Sequence, residues 1–115
     1  MPNFDRDAIT RLHRFGGDAL VFEMIDLFVA AAPARLAIAR EAVDAGDSER
    51  ARGVLHSLKS SAGQLGAVGM QALCEDAEQS ATRGDVGGVA TLLPKLDAEW
   101  VAVHAELRAI RQGGA

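Results

Sequence analysis

Apolar residues recur along this chain at steps of three and four, and no run alternates every second residue for the length of a strand. The pattern is clearest near the C-terminal end. There Val89, Leu93, Leu96, Trp100, Val103, Leu107 and Ile110 follow alternating steps of four and three, an a/d stripe that predicts a helix lying along a bundle seam. Gly87 and Gly88 weaken its first turn, and Pro94 predicts a bend. Upstream, Ala51, Leu55, Leu58, Ala62 and Leu65 form the inner face of a helix over about Ser48 to Leu65. Met70, Leu73, Cys74, Ala77 and Ala81 do the same for a helix over Ala67 to Arg83. From Leu20 to Ala32 the apolar positions cover more than one face, which predicts burial on two sides. Leu36, Ala39, Ala42 and Val43 carry the stripe on to Ala45. Pro33 lacks the amide a helix interior uses, so a kink or a fresh first turn is expected there.

Two junctions share one design, Ala45-Gly46-Asp47 and Arg83-Gly84-Asp85. Glycine supplies the left-handed end of one helix and aspartate caps the next. The Arg-Gly-Asp triplet is therefore read as a helix boundary rather than an adhesion motif. Near the start, Asp5 is placed to cap a short helix carrying Ile9 and Leu12 and closed by Phe15. Gly16-Gly17 stops that helix and Asp18 caps its successor. The expected fold is all-α: one domain over 1–115, an up-and-down four-helix bundle with additional short N-terminal helical segments.

Composition narrows the function. The 115 residues suffice for a core without disulfides or structural metal; they are 49% hydrophobic but only 4% aromatic, a balance that suits closely packed helices. The net charge of −4 is interspersed in sign, which speaks against nucleic acid as a partner. No apolar run approaches a membrane span, and charges at Asp5, Arg6, Asp7, Arg11 and Arg14 interrupt any leader-like stretch. The lone Cys74 fits a reducing compartment and lies on an inward stripe, so it reads as core. The expectation is a cytoplasmic, monomeric, free-standing protein. His13, His56 and His104 lack metal-ligand spacing, and neither glycine pair has the context of a phosphate-cradling loop.

The informative stretch is His56-Ser57-Leu58-Lys59-Ser60-Ser61-Ala62-Gly63-Gln64-Leu65-Gly66-Ala67. On a helical wheel His56 lies roughly 140° from the middle of the core arc, with Ser60 and Gly63 within about 40° of it. Lys59 and Arg52 sit on the same side, nearer the core edge. A neutral imidazole is a good nucleophile near neutral pH and forms a labile phosphoramidate. Lys59, with Arg52, can offset phosphate charge, and this stripe carries no carboxylate close to the histidine. Gly63 costs about 1 kcal/mol relative to alanine in a helix interior, which is explained if a partner's backbone approaches over it.

This stretch, followed by Leu73-Cys74 and Glu78, resembles the signature of histidine-containing phosphotransfer (HPt) domains, with helix order and length similar across nearly the whole chain. One departure is Ser60, where many members carry glycine. The resemblance implies that His56 is the phosphoacceptor and Lys59 the phosphate-facing cation, and that Gly63 keeps the surface open. It also implies that Ser60 and Gln64 border a docked receiver, with Ile9, Leu12 and Leu20 as further docking residues.

The function this implies is a phosphorelay carrier that shuttles a phosphoryl group between receiver aspartates through phospho-His56. It has no nucleotide site of its own. Its partners are response-regulator receiver domains, which bring Mg²⁺, and a hybrid histidine kinase; the chain itself uses no cofactor. The rival reading is a non-phosphorylated helical adapter that binds a signalling partner through the same face.

Overall fold

The computed structural model describes residues 3–113. Its helices are α1 (Arg6–Asp44), α2 (Ser48–Gln64), α3 (Val68–Thr82) and α4 (Val86–Gly113). Each packs on its neighbour in chain order, and α4 returns to α1. This is the up-and-down bundle that the short connections require. The predicted stripes are the core: Leu55, Leu58, Met70, Cys74, Leu96 and Leu107 are fully buried. Between them Ala32, Ala39, Ala42, Ala51, Ala62 and Ala77 are all 0% exposed, so the helix backbones approach closely where a larger side chain would hold them apart.

The N-terminal third differs from expectation in how it bends. A straight helix of 39 residues would run about 58 Å, yet the longest dimension of the molecule is 42 Å. Gly17 resolves this with φ 67° and ψ −162°, the only non-helical residue within α1. The chain folds over there, and Gly16 makes room for the bend: a Cβ on it would meet the Cβ of Leu20 at 2.6 Å. Helical backbone angles run through Pro33, so the helix does not restart there. Pro33 is exposed, so the carbonyl four residues earlier, deprived of its amide partner, lies on the side open to water. Asp18 does not serve as a cap; its carboxylate meets His13 Nε2 at 3.2 Å. Phe15 closes nothing, being 88% exposed.

The other boundaries follow the predicted chemistry. Asp5 accepts from the Asp7 amide, Asp47 from the Arg50 amide and Asp85 from the Gly88 amide. Gly46 and Gly84 take the left-handed conformation at φ 67° and 76°. Gly66, at φ 81°, is a tighter case because its carbonyl accepts the Asp5 amide at 2.7 Å. That bond, with the Gly69 amide to the Asn3 carbonyl at 3.0 Å, ties the N-terminal segment to the α2–α3 turn.

The glycines therefore separate into two grades. Around Gly17 and Gly46 a Cβ meets nothing within 4 Å, whereas at Gly66 it collides with the Asp5 carbonyl oxygen. Gly46→Ala is expected to cost about 1–2 kcal/mol, the strain of a left-handed L-residue, and Gly17→Ala about 1–3 kcal/mol, because φ 67° with ψ −162° is a region that essentially only glycine occupies. Gly66→Ala should cost at least about 3 kcal/mol, since strain and collision act together. Urea denaturation of the three variants checks the order.

Candidate functional site

Leu55, Leu58 and Ala62 pin one side of α2 to the core, and this alone decides where His56 points. Its side chain is 57% exposed. The ring is not free, however. Helix α3 returns antiparallel after the Gly66 turn and lays Glu78 beside it, with His56 Nδ1 2.9 Å from Glu78 Oε2. One turn along α2, Lys59 Nζ donates to Glu75 Oε2 at 2.7 Å and meets Glu78 Oε1 at 2.6 Å. Gln79 donates to Glu75 Oε1 at 2.9 Å and completes the group.

The electrostatics of this cluster assign the histidine tautomer. Burial acts most strongly on the Glu78 carboxyl and pushes its pKa up. The close Lys59 ammonium and the hydrogen bond from His56 together outweigh it, and the net result lies below the usual glutamate value. Glu78 is thus an ionised acceptor at neutral pH, so Nδ1 must carry the proton and donate it. In the neutral ring the lone pair is then on Nε2, which has no hydrogen-bond partner among the described residues. The other Glu78 oxygen, Oε1, is buried without a well-angled hydrogen bond and is reached only by the Lys59 ammonium as an ion-pair contact. Hydrogen bonds from Lys59 and then Gln79 also hold Glu75 below its ordinary value. The bonds to Glu75 and Glu78 raise Lys59.

Several sequence expectations change here. The absence of carboxylates near His56 holds for α2 alone, because α3 contributes two. Lys59 is not an unengaged phosphate cation but a bridge between those two. Arg52 is occupied as well, donating from Nε and Nη2 to Glu49 Oε1 at 3.1 and 2.6 Å. At Gly63 a Cβ would meet Gln71 Nε2 at 2.6 Å, so the end of the exposed Gln71 side chain from α3 lies over the glycine. Ile9 is only 3% exposed and belongs to the core, which removes it from any docking face. Leu12 and Leu20 are half-buried, while Ser60 and Gln64 are exposed as expected.

On the other flank of α2 lies a groove that helical periodicity did not disclose. It holds about 320 Å³ between α1 and α2, with Met24, Leu27, Ala31 and Arg35 on one wall and Ser61 and Gln64 on the other. Leu27, expected to be interior, is 64% exposed at its edge. Arg35 Nη1 donates to Ser61 Oγ at 3.2 Å.

A signal for the missed carboxylates does exist in the sequence. Helices joined by a tight turn face each other at positions equidistant from it. The pairs 59/75 and 56/78 are separated by 16 and 22 residues and share a midpoint at Ala67, and the Gly63–Gln71 contact has that midpoint too. Folding the sequence about the Gly66-Ala67 turn would have placed all three.

The cluster makes stability depend on pH with a definite sign. Both carboxyls are depressed in the folded state, so between the folded and unfolded pKa values the unfolded chain binds more protons and stability rises with pH. Their contribution is complete above about 4.3 and drains away as pH falls through the folded values. Lys59 is raised, so its contribution is complete below about 10.4 and is lost as pH climbs beyond. Lys59→Met should therefore lower the urea midpoint by a constant amount between about pH 5 and 10, and the difference from wild type should shrink below about pH 4.

The comparisons with known proteins agree with this architecture. A family model of the Hpt domain matches residues 23–113. No curated protein matches the chain in sequence. Among solved structures, the crystal structure of histidine-containing phosphotransfer protein B from Pseudomonas aeruginosa PAO1 is similar, with a TM-score of 0.91 and 27% identity over 99% of this chain and 98% of that one. With the family model spanning most of its length, and a bundle that presents an exposed histidine from its second helix, the chain belongs to the Hpt domain family, the histidine phosphotransfer proteins of phosphorelays.

Proposed function

We propose that His56 is the phosphoacceptor and that the chain carries the phosphoryl group between aspartates of receiver domains, one of them in a hybrid histidine kinase. The observation that carries this reading is the 2.9 Å contact between His56 Nδ1 and Glu78. An adapter that only binds has no use for an imidazole held in one tautomer; a nucleophile does. We place the carrier in the cytoplasm as a monomeric single domain; no helix among the described residues is long and apolar enough to cross a membrane.

In the transfer, the Nε2 lone pair attacks the phosphorus of an aspartyl phosphate. The P–N bond forms, the P–O bond to the aspartate breaks, and the aspartate leaves as a carboxylate. The receiver's Mg²⁺ offsets charge on the transferring phosphoryl oxygens. The ring meanwhile becomes cationic because its Nδ1 proton stays in place, and Glu78 is set to offset that charge. In the reverse step the P–N electrons return to Nε2 and the neutral ring departs. Lys59 holds Glu78 in its ionised form and is the nearest ammonium that can turn towards a bound phosphoryl group.

With a ³²P-labelled receiver as donor, wild type should acquire alkali-stable, acid-labile label and His56→Gln none. Equal labelling of His56→Gln would sink the reading. Glu78→Leu should keep the label site but slow transfer roughly ten- to a hundredfold, while Glu78→Gln, whose amide oxygen still accepts from Nδ1, should lose less. Rapid-quench transfer kinetics distinguish the two.

A further inference from the structure

Arg35 differs from the other arginines in its setting. Arg11, Arg14, Arg83 and Arg108, like it, meet no carboxylate among the described residues, but all four are exposed. Arg6, Arg40, Arg50, Arg52 and Arg111 each meet a carboxylate. The half-buried Arg35 has only the neutral Ser61 hydroxyl, at 3.2 Å, and no carboxylate partner among the described residues. A guanidinium has five donors in a planar fork suited to two carboxylate oxygens at once, so most of its capacity is unused. It sits at one end of the α1–α2 groove, one helical turn from Ala31, with exposed Leu27 one turn beyond.

The groove is also within reach of whatever docks on His56. Ser61 and Gln64 lie five and eight residues further along α2, about 8–12 Å away. A protein interface of ordinary size covers about 800 Å² per partner, a patch of about 16 Å radius. A partner centred on the histidine therefore overlies the groove. The trough between two antiparallel helices, with a small residue at its floor and an aliphatic edge, fits a third helix.

We propose that Arg35 is a specificity-determining residue of the carrier: it selects receivers whose docking helix places an aliphatic side chain over Ala31 and an aspartate or glutamate one turn away, facing the guanidinium. This rests on the receiver-docking function proposed above and adds to it a means of choosing among receivers that all share the same phosphorylated aspartate chemistry. Leu27 and Ala31 supply contact area that any aliphatic side chain satisfies. Arg35 supplies the discrimination, because a receiver with a neutral or basic residue at that position leaves a half-buried cation unmatched.

The experiment measures phosphotransfer from each purified receiver of the source organism to wild type, Arg35→Met and Arg35→Glu, with thermal melts to confirm that each variant folds. For the preferred receiver, Arg35→Glu should lower kcat/KM at least about tenfold, chiefly through KM, and Arg35→Met should lie between. Replacing the facing carboxylate of that receiver by lysine should restore transfer to Arg35→Glu while impairing it to wild type, an exchange that a merely structural arginine would not produce. If folded Arg35→Glu keeps the wild-type rates and order of receivers, the assignment of Arg35 is wrong while the carrier function stands. If wild type accepts phosphate from no receiver, the carrier function fails and this inference with it.

Discussion

The turn at Gly66-Ala67 is the constraint on which the site depends. Its positive φ lets α2 double back into α3 within a few residues, and the Asp5 amide bonded to the Gly66 carbonyl fixes the turn from outside. Once the hairpin is closed at that point, its register is closed as well. Gln71 falls across Gly63, Glu75 beside Lys59 and Glu78 beside His56. Three contacts that look like separate features of a phosphotransfer surface are one geometric fact repeated along two helices.

That register also sets the charge around the histidine. One ammonium faces two carboxylates, so the cluster has an excess negative charge before any phosphate arrives. Under the proposed function this is an unfavourable place for a phosphoryl group to settle and a favourable one for it to leave. The same carboxylate that fixes the tautomer also offsets the transient positive charge on the ring. A relay intermediate requires that balance, because a phosphohistidine held too well would store the group rather than pass it on.

How much of this was legible in the sequence follows from what periodicity can measure. Burial on a helix depends on spacing within that helix, and the stripes of α2, α3 and α4 were therefore readable. Asp47 and Asp85 were readable as caps because their partners lie three residues away. Gly17 and Pro33 were harder, since both can break a helix. The bend falls where glycine adopts a conformation other residues avoid, while an exposed proline costs only one backbone bond. Ile9 and Leu27 were assigned to each other's environments for a different reason. Which side of α1 is covered depends on how the segment before Gly17 folds over the end of the bundle, and no spacing within α1 records that. The His56 carboxylate partner was hidden likewise by attention to a single helix, although the symmetry about Ala67 contained it.

Cys74 gives the hairpin one more property. It is the only cysteine of the chain and is fully buried on α3, one turn before Glu78. Burial, reinforced by the Glu78 charge, pushes its thiol up to about 12, so it is protonated and shielded while α3 stays packed. A thiol reagent can reach it only when α3 lifts from the core. The protein therefore has a built-in clock for the opening of its phosphotransfer hairpin, read as a labelling rate at one atom and needing no engineered probe.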